Sequence, residues 1–314
     1  MIYERKDFQE LFKSAVGREL RESVPLSRFS NFKIGGNADY FFSASSLKEL
    51  MAAVYLSEKE YVSYRIIGGG YNVLFDDDGF RGLVIKNDVQ GIKKLKDFKV
   101  EALSGTGLND MIDFCKEGGL GGAAFLAGIP GTVGGAVYGN AGAFGRSIGD
   151  ILDEAEVLEL NGKRTDVIKL KKNQMGFQYR KSLLKEKPFI LLKAVFKLAP
   201  ESAEVIKKDI EKNIKERKKK HPPWSVACAG SYFKNPVSDT GEKIAAGYLL
   251  DRVGARSLKK GGAAVYKGHA NFLINTGNAT SKDIRDLAEE LKQRVKKRFG
   301  ITLEEEVVFI PAGG

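Results

Sequence analysis

The chain has 314 residues, enough for two or three domains with their own cores, and its 43% hydrophobic content is that of an ordinary globular protein. No apolar run is long enough to span a bilayer, and the charged opening MIYERKDFQEL reads as the start of an amphipathic helix rather than a secretory signal. The net charge of +11 favours anionic partners, nucleic acid or a phosphorylated small molecule, while two histidines argue against a Ser-His-Asp triad or a histidine-rich metal site.

Phe8, Leu11, Phe12 and Val16 define one face of the first helix. Residues 38–43 read as a strand, and Leu47, Leu50, Met51 and Val54 as a helix with Ser45 or Ser46 as its cap. Tyr64–Ile67 is a short strand that runs into Gly68, Gly69, Gly70, Tyr71, Asn72, Val73 and Leu74. Three bare glycines after a strand can form a nest of N–H groups for an anion. No Gly-Lys-Ser/Thr follows, so this is not a Walker A loop. Gly105-Thr106-Gly107 begins like a dinucleotide fingerprint, but Asp110 stands where its third glycine belongs.

Segments 82–85, 91–95 and 98–103 are β-like, and Leu108–Lys116 is helical. Gly118 to Gly145 then holds eleven glycines in 28 residues with almost no charge. Its centre, Gly128, Ile129, Pro130, Gly131, Thr132, Val133, Gly134, Gly135 and Ala136, has unshielded amides that suit close approach to phosphates. Tight packing between crossing strands is the competing explanation. A ligand with a diphosphate spine held between two glycine loops would account for both.

Strands follow at 154–160 and 189–198. After Pro200, the residues Val205, Ile206, Ile210 and Ile214 mark a helix that ends in Lys215 and Arg217–Lys220. That basic run is either a solvated helix end matching the dipole or an approach to a diphosphate. The helix leads to a C-terminal domain with a helix from Ser281 and a closing strand from Glu306 to Ile310. The mixture is α+β, not a regular βαβ alternation. Cys115 and Cys228 read as reduced thiols of a cytoplasmic protein.

Three places carry chemistry-bearing side chains. In Gly230-Ser231-Tyr232-Phe233-Lys234-Asn235-Pro236, strand alternation would put Ser231, Phe233 and Asn235 on one face, able to bind and protonate a polar substrate. Arg180, in the turn Gly176–Ser182, offers a planar fork for a carboxylate. Glu304-Glu305-Glu306 and His269-Ala270-Asn271-Phe272 could equally be a solvated acidic run and a satisfied core pair.

Taken in order, five segments resemble the UDP-N-acetylenolpyruvoylglucosamine reductases, also called UDP-N-acetylmuramate dehydrogenases. They are Asn31–Gly36 with Ala38-Asp39, Gly68–Leu74, Ala127–Gly142, Ala229–Pro236 and His269–Phe272, and Gly300–Val307 resembles the family's closing segment. The resemblance implies a non-covalent FAD in a fold of the vanillyl-alcohol-oxidase (PCMH) type. That region would be residues 1–200, in two subdomains split near 100, with a substrate domain at 201–314. Both glycine loops would then wrap the FAD diphosphate. The resemblance also implies NADPH as hydride donor, a UDP-sugar substrate, a monomer in the cytoplasm, and the short-loop type II branch. It carries over Ser231 as the proton donor to carbon, with Arg180 and Glu306 stabilising the enolate-like charge, and Lys234 and Asn235 as contacts to the UDP moiety. The site needs no metal, membrane or nucleic acid. Departures are Tyr71 in place of serine, Gly139 in place of methionine, Cys228 in place of serine, and Glu305 in place of proline beside Glu306. The competing readings are an FAD oxidase of the same fold, for which residues 60–80 offer no tethering histidine, and a basic nucleic-acid-binding protein.

Overall fold

The computed structural model describes residues 5–161, 164–237 and 241–313. The first four residues of the charged opening lie outside them. The chain forms two compact units, one from residues 1–22, 40–69 and 82–216, the other from 23–39, 70–81 and 217–314.

The first unit is organised by a five-stranded antiparallel sheet in the order Arg164–Lys171, Leu152–Asn161, Phe189–Lys197, Lys99–Leu103, Ile92–Lys94. Alternation along these strands buries Val100, Ala102, Ala155, Val157, Leu191, Ala194 and Phe196. They pack against Met111, Ile112 and Cys115 of the helix Leu108–Glu117, and against Val133, Ala136 and Val137 of the glycine segment. A second core gathers Phe8 and Phe12 of the helix Arg5–Val16 with Leu50, Ala53 and Val54 of the helix Leu47–Lys59. Ser46 caps the latter helix by accepting the Glu49 N–H.

In the second unit, a four-stranded antiparallel sheet runs Ala227–Cys228, Leu273–Asn275, Ala263–Val265, Lys259–Lys260. The helix Ser281–Phe299 buries Ile284, Leu287, Leu291 and Val295, spaced three and four apart. Thr280 and Asp283 close its N-terminus as a capping box, and Gly300 at φ +72° ends it. Asp77 also receives the N–H and hydroxyl of Ser281 at 2.8–2.9 Å. Phe32, Ile34 and Leu74 join the same core. Strand Val73–Phe75 pairs in parallel with Val308–Ile310, so the closing strand begins at Val308, two residues later than the sequence reading placed it. Glu304–Glu306 are instead engaged along Tyr232–Lys234.

Candidate active site

The first glycine loop leaves strand Tyr64–Ile67, which pairs in parallel with Leu83–Lys86. A side chain at Gly68 would put its Cβ 2.5 Å from Thr132 Oγ1 and 3.3 Å from Thr132 Cγ2. A side chain at 68 would therefore push the Thr132 side chain of the second glycine loop out of place. Gly70, at φ +71°, sits against the Phe29 carbonyl, leaving no room for a Cβ. Asn72 reaches the C-terminal strand: its Nδ2 donates to the Glu306 carbonyl (3.1 Å), and its own carbonyl accepts the Val308 N–H (3.0 Å).

The second glycine loop contains a helix, Val133–Tyr138, which the sequence reading took as loop throughout. Thr132 caps it through Oγ1, which accepts the Gly135 N–H at 3.2 Å. The Val133 and Gly134 amides bond back to the carbonyls of Thr106 (2.9 Å) and Ser104 (2.7 Å), and the Gly128 amide donates to Asn109 Oδ1 (3.3 Å). Gly131, at φ +126°, and Thr132 keep amides with no acceptor among the described residues. Two such neighbouring donors, with Thr132 lying against Gly68, fit a diphosphate.

Arg180 lies at the tip of a tight turn in which Gln178 and Lys181 exchange N–H···O bonds of 3.1–3.2 Å. Its Nη1 donates to the Gly142 carbonyl at 3.4 Å, and the guanidinium lies 5.4 Å from the centre of the Tyr179 ring. The turn predicted from sequence is present, and the glycine-rich segment supplies one of its contacts.

Ser231 and Glu306 are brought onto neighbouring segments. The Glu306 N–H donates to the Tyr232 carbonyl (2.7 Å) and the Lys234 N–H to the Glu304 carbonyl (2.8 Å), with an antiparallel bridge between Phe233 and Glu305. Asn271, buried, fixes the other side: its Oδ1 accepts the Phe233 N–H (2.9 Å), its Nδ2 donates to the Phe233 carbonyl (2.8 Å), and its own carbonyl takes the Tyr232 N–H (2.8 Å). Sequence reasoning left Asn271 as an ordinary core amide; its place two residues after a histidine gave no sign of this two-handed grip.

The expected alternation of Ser231, Phe233 and Asn235 on one face is not realised. Gly230 at φ +77° and Pro236 interrupt regular pairing, so only one bridge forms. Phe233 is 1% exposed in the core, whereas Ser231 and Asn235 are half-buried. Asn235 Oδ1 accepts the Ala246 N–H (3.0 Å), and the Lys234 ammonium pairs with Glu304 (2.9 Å).

The two adjacent glutamates have different surroundings. The Glu305 carboxylate is paired with Lys292 (3.0 Å) and accepts from the Tyr232 hydroxyl (3.3 Å), while burial and that carboxylate push the phenol far above its ordinary range. Glu306 is held through its backbone at both ends, its N–H donating to the Tyr232 carbonyl and its own carbonyl accepting from Asn72 Nδ2. His269 receives the Asn271 N–H on Nδ1 (3.2 Å) and stands edge-on to Phe272; burial lowers its pKa. Cys115 and Cys228 are free and buried, and burial pushes the Cys115 thiol up to about 12. Among the described residues no group of three or more His, Cys, Asp or Glu could hold a metal ion, and no helix is long and apolar enough to cross a membrane.

Two glycine loops meet at Gly68 and Thr132 on an α+β scaffold, and residues 38–167, which contain both, match the model of the FAD binding domain, which makes the protein a flavoprotein. Residues 222–310 match the C-terminal domain of UDP-N-acetylenolpyruvoylglucosamine reductase. The chain is 39% identical over 294 residues to the UDP-N-acetylenolpyruvoylglucosamine reductase of Chlamydia trachomatis serovar L2, covering 93% of this chain and 96% of that protein. It is 37% identical over 302 residues to that of Caldicellulosiruptor bescii, covering 96% and 94%. The crystal structure of the reductase from Thermus caldophilus superimposes with a TM-score of 0.75 at 30% identity, covering 93% of this chain and all of the other. The chain belongs to the UDP-N-acetylenolpyruvoylglucosamine reductase family, FAD-dependent oxidoreductases of peptidoglycan synthesis.

Proposed function

We propose that the chain reduces the enolpyruvyl ether of UDP-N-acetylglucosamine to UDP-N-acetylmuramate, with NADPH as electron donor, as a cytoplasmic monomer. The observation that supports the reading is the strip in which Tyr232–Lys234, next to Ser231, runs alongside Glu304–Glu306, with Glu305 already engaged by Lys292. Residues 1–200 would hold FAD, through Gly68–Val73, Gly128–Thr132 and Gly134–Ala136, and residues 201–314 the UDP-sugar, with Lys234 and Asn235 toward the UDP moiety. When bound, FAD supplies the hydride that adds to C3 of the enolpyruvyl group.

The chain's own residues handle the charge and the proton. Hydride addition at C3 leaves an electron pair at C2, delocalised onto the neighbouring carboxylate as an enolate. The Arg180 guanidinium pairs with that carboxylate as its charge grows, and Glu306, in its protonated form, donates a hydrogen bond to it. The Ser231 hydroxyl gives its proton to C2, completing a net addition of hydride and proton across the double bond. An alcohol is a weak acid, but an enolate carbon is a strong base, and a site that excludes water favours the transfer.

Ser231→Ala tests this. Reduction of the bound flavin by NADPH is expected to continue at its normal rate, while reoxidation by the enolpyruvyl sugar falls roughly 10²- to 10⁴-fold, the contribution of a positioned proton donor. Loss of both half-reactions together would refute the assigned role. Failure of the enolpyruvyl sugar to reoxidise the wild-type flavin would refute the substrate.

A further inference from the structure

The two tip residues of the Gln178–Lys181 turn include one in a conformation that residues with a side chain seldom hold. Arg180 has φ +58°, in the left-handed region, although it carries a Cβ. Such a backbone persists only where its surroundings impose it, and these positions concentrate at functional sites. Two side chains impose it here. On the leading leg, buried Asn140 donates through Nδ2 to the Gln178 carbonyl (2.8 Å), while its Oδ1 is fixed by the Gly149 N–H (3.1 Å). On the trailing leg, the Lys185 ammonium donates to the carbonyl of Arg180 itself (2.9 Å). Lys185 belongs to the short 3-10 turn Leu183–Lys185 and also lies 5.3 Å from the centre of the Tyr138 ring. That turn is anchored by buried Ser182, whose hydroxyl donates to the Tyr138 carbonyl (2.8 Å).

We infer that Lys185 is a positioning residue for Arg180: its charge-assisted bond to the Arg180 carbonyl holds the left-handed backbone and thereby aims the guanidinium. Without that bond the peptide after Arg180 can rotate toward the right-handed region that an L-residue prefers, and the Cα–Cβ direction turns with it. The guanidinium then no longer meets the charge that grows on the substrate. The inference rests on the proposed role of Arg180.

The test compares Lys185→Met, which keeps the apolar stem against Tyr138, with Lys185→Arg, Arg180→Ala and the double variant Lys185→Met/Arg180→Ala. Each FAD-loaded enzyme is followed in stopped flow, separating flavin reduction by NADPH from reoxidation by the enolpyruvyl sugar. The melting temperature is read alongside. Arg180→Ala is expected to slow reoxidation by about 100-fold or more. Lys185→Met is expected to slow it about tenfold, with flavin reduction unchanged. Lys185→Arg, which keeps a cationic donor, is expected to recover most of the rate. In the Arg180→Ala background Lys185→Met is expected to add nothing. An equal loss in that background, or a matching loss of flavin reduction, would mean that Lys185 only supports the fold and would overturn the inference. So would a normal reoxidation rate in Lys185→Met while Arg180→Ala is slow. A normal rate in Arg180→Ala would remove the role of Arg180 itself. If Lys185→Met does not fold, Lys185→Gln replaces it: a neutral donor must then give a rate between wild type and Arg180→Ala, and a wild-type rate overturns the inference.

Discussion

Gly68→Ala puts the contact between the two glycine loops to the test. An added Cβ would sit 2.5 Å from Thr132 Oγ1, against roughly 3.5 Å for an ordinary contact, so the hydroxyl must retreat by about 1 Å or rotate away. That oxygen caps the helix Val133–Tyr138 through a 3.2 Å bond from the Gly135 N–H, and either movement breaks the bond. Loss of a threonine cap costs about 1 kcal/mol, and residual crowding brings the total to about 1–2 kcal/mol. If the loop must return to its capped form to take a diphosphate, FAD binding weakens by a similar amount, about 5- to 30-fold. Flavin fluorescence titration of the apoprotein reads the second quantity and thermal unfolding the first. Thr132→Ala removes both the clash and the cap, so Gly68→Ala should cost little more in that background. Equal penalties in the two backgrounds would refute the contact as the cause.

Three further outcomes are expected. Asp77→Ala removes an acceptor from the Ser281 amide and hydroxyl at the start of the long C-terminal helix, and should lower stability by about 1–2 kcal/mol in thermal unfolding, with flavin reduction by NADPH retained. Burial, with the like charges of Arg217, His269 and Lys220, depresses the His221 pKa from 6.5 to about 4. The unfolded chain therefore binds a proton that the folded chain resists, so stability is lost as pH falls from about 6.5 toward 4, and His221→Gln should flatten that limb of the melting-temperature profile. Cys115 and Cys228 are buried, with thiol pKa values raised by burial, so a thiol reagent should modify both slowly in the native protein and both at once after denaturation.

Much of this was legible in the residues because local chemistry dictated it. The helix Ser281–Phe299 announces itself through the 284, 287, 291, 295 spacing and a terminal glycine, and strand Phe189–Lys197 through its apolar run. The glycine loops were visible as compositional oddities, since nothing but backbone exposure or close approach calls for so many glycines. The helix inside the second loop was not, because Val133-Gly134-Gly135-Ala136 is a poor helix former, and its first two amides are fixed by the carbonyls of Thr106 and Ser104, 27 and 30 residues earlier (133 − 106, 134 − 104). The irregular course of Ser231–Asn235 had the same origin. Period-two alternation is a local rule, and here the side chain of Asn271 and the segment Glu304–Glu306 supply the backbone's partners instead. The left-handed backbone of Arg180 left no mark on the sequence, since the residues that impose it, Asn140 and Lys185, are unremarkable by type.

The second unit draws its core from both ends of the chain. Phe32, Ile34 and Leu74 lie in one buried cluster with Phe272, Leu291 and Val295, and Val73 finds its strand partner at Val308, 235 residues later (308 − 73). At roughly 5–20 residues per second on the ribosome, those early hydrophobic residues wait on the order of ten seconds or more for their partners to be made. The first unit has all of its own sequence by residue 216, so it can consolidate while Asn31–Gly36 and Gly70–Leu74 stay open to solvent. Synthesis thus passes through a chain whose first unit can be complete while early apolar side chains of the second, Phe32, Ile34 and Leu74 among them, are stranded, a form that a chaperone would hold and a protease would find. A fragment begun at residue 201 lacks those three side chains altogether, so the unit cannot be moved between proteins as a single contiguous cassette.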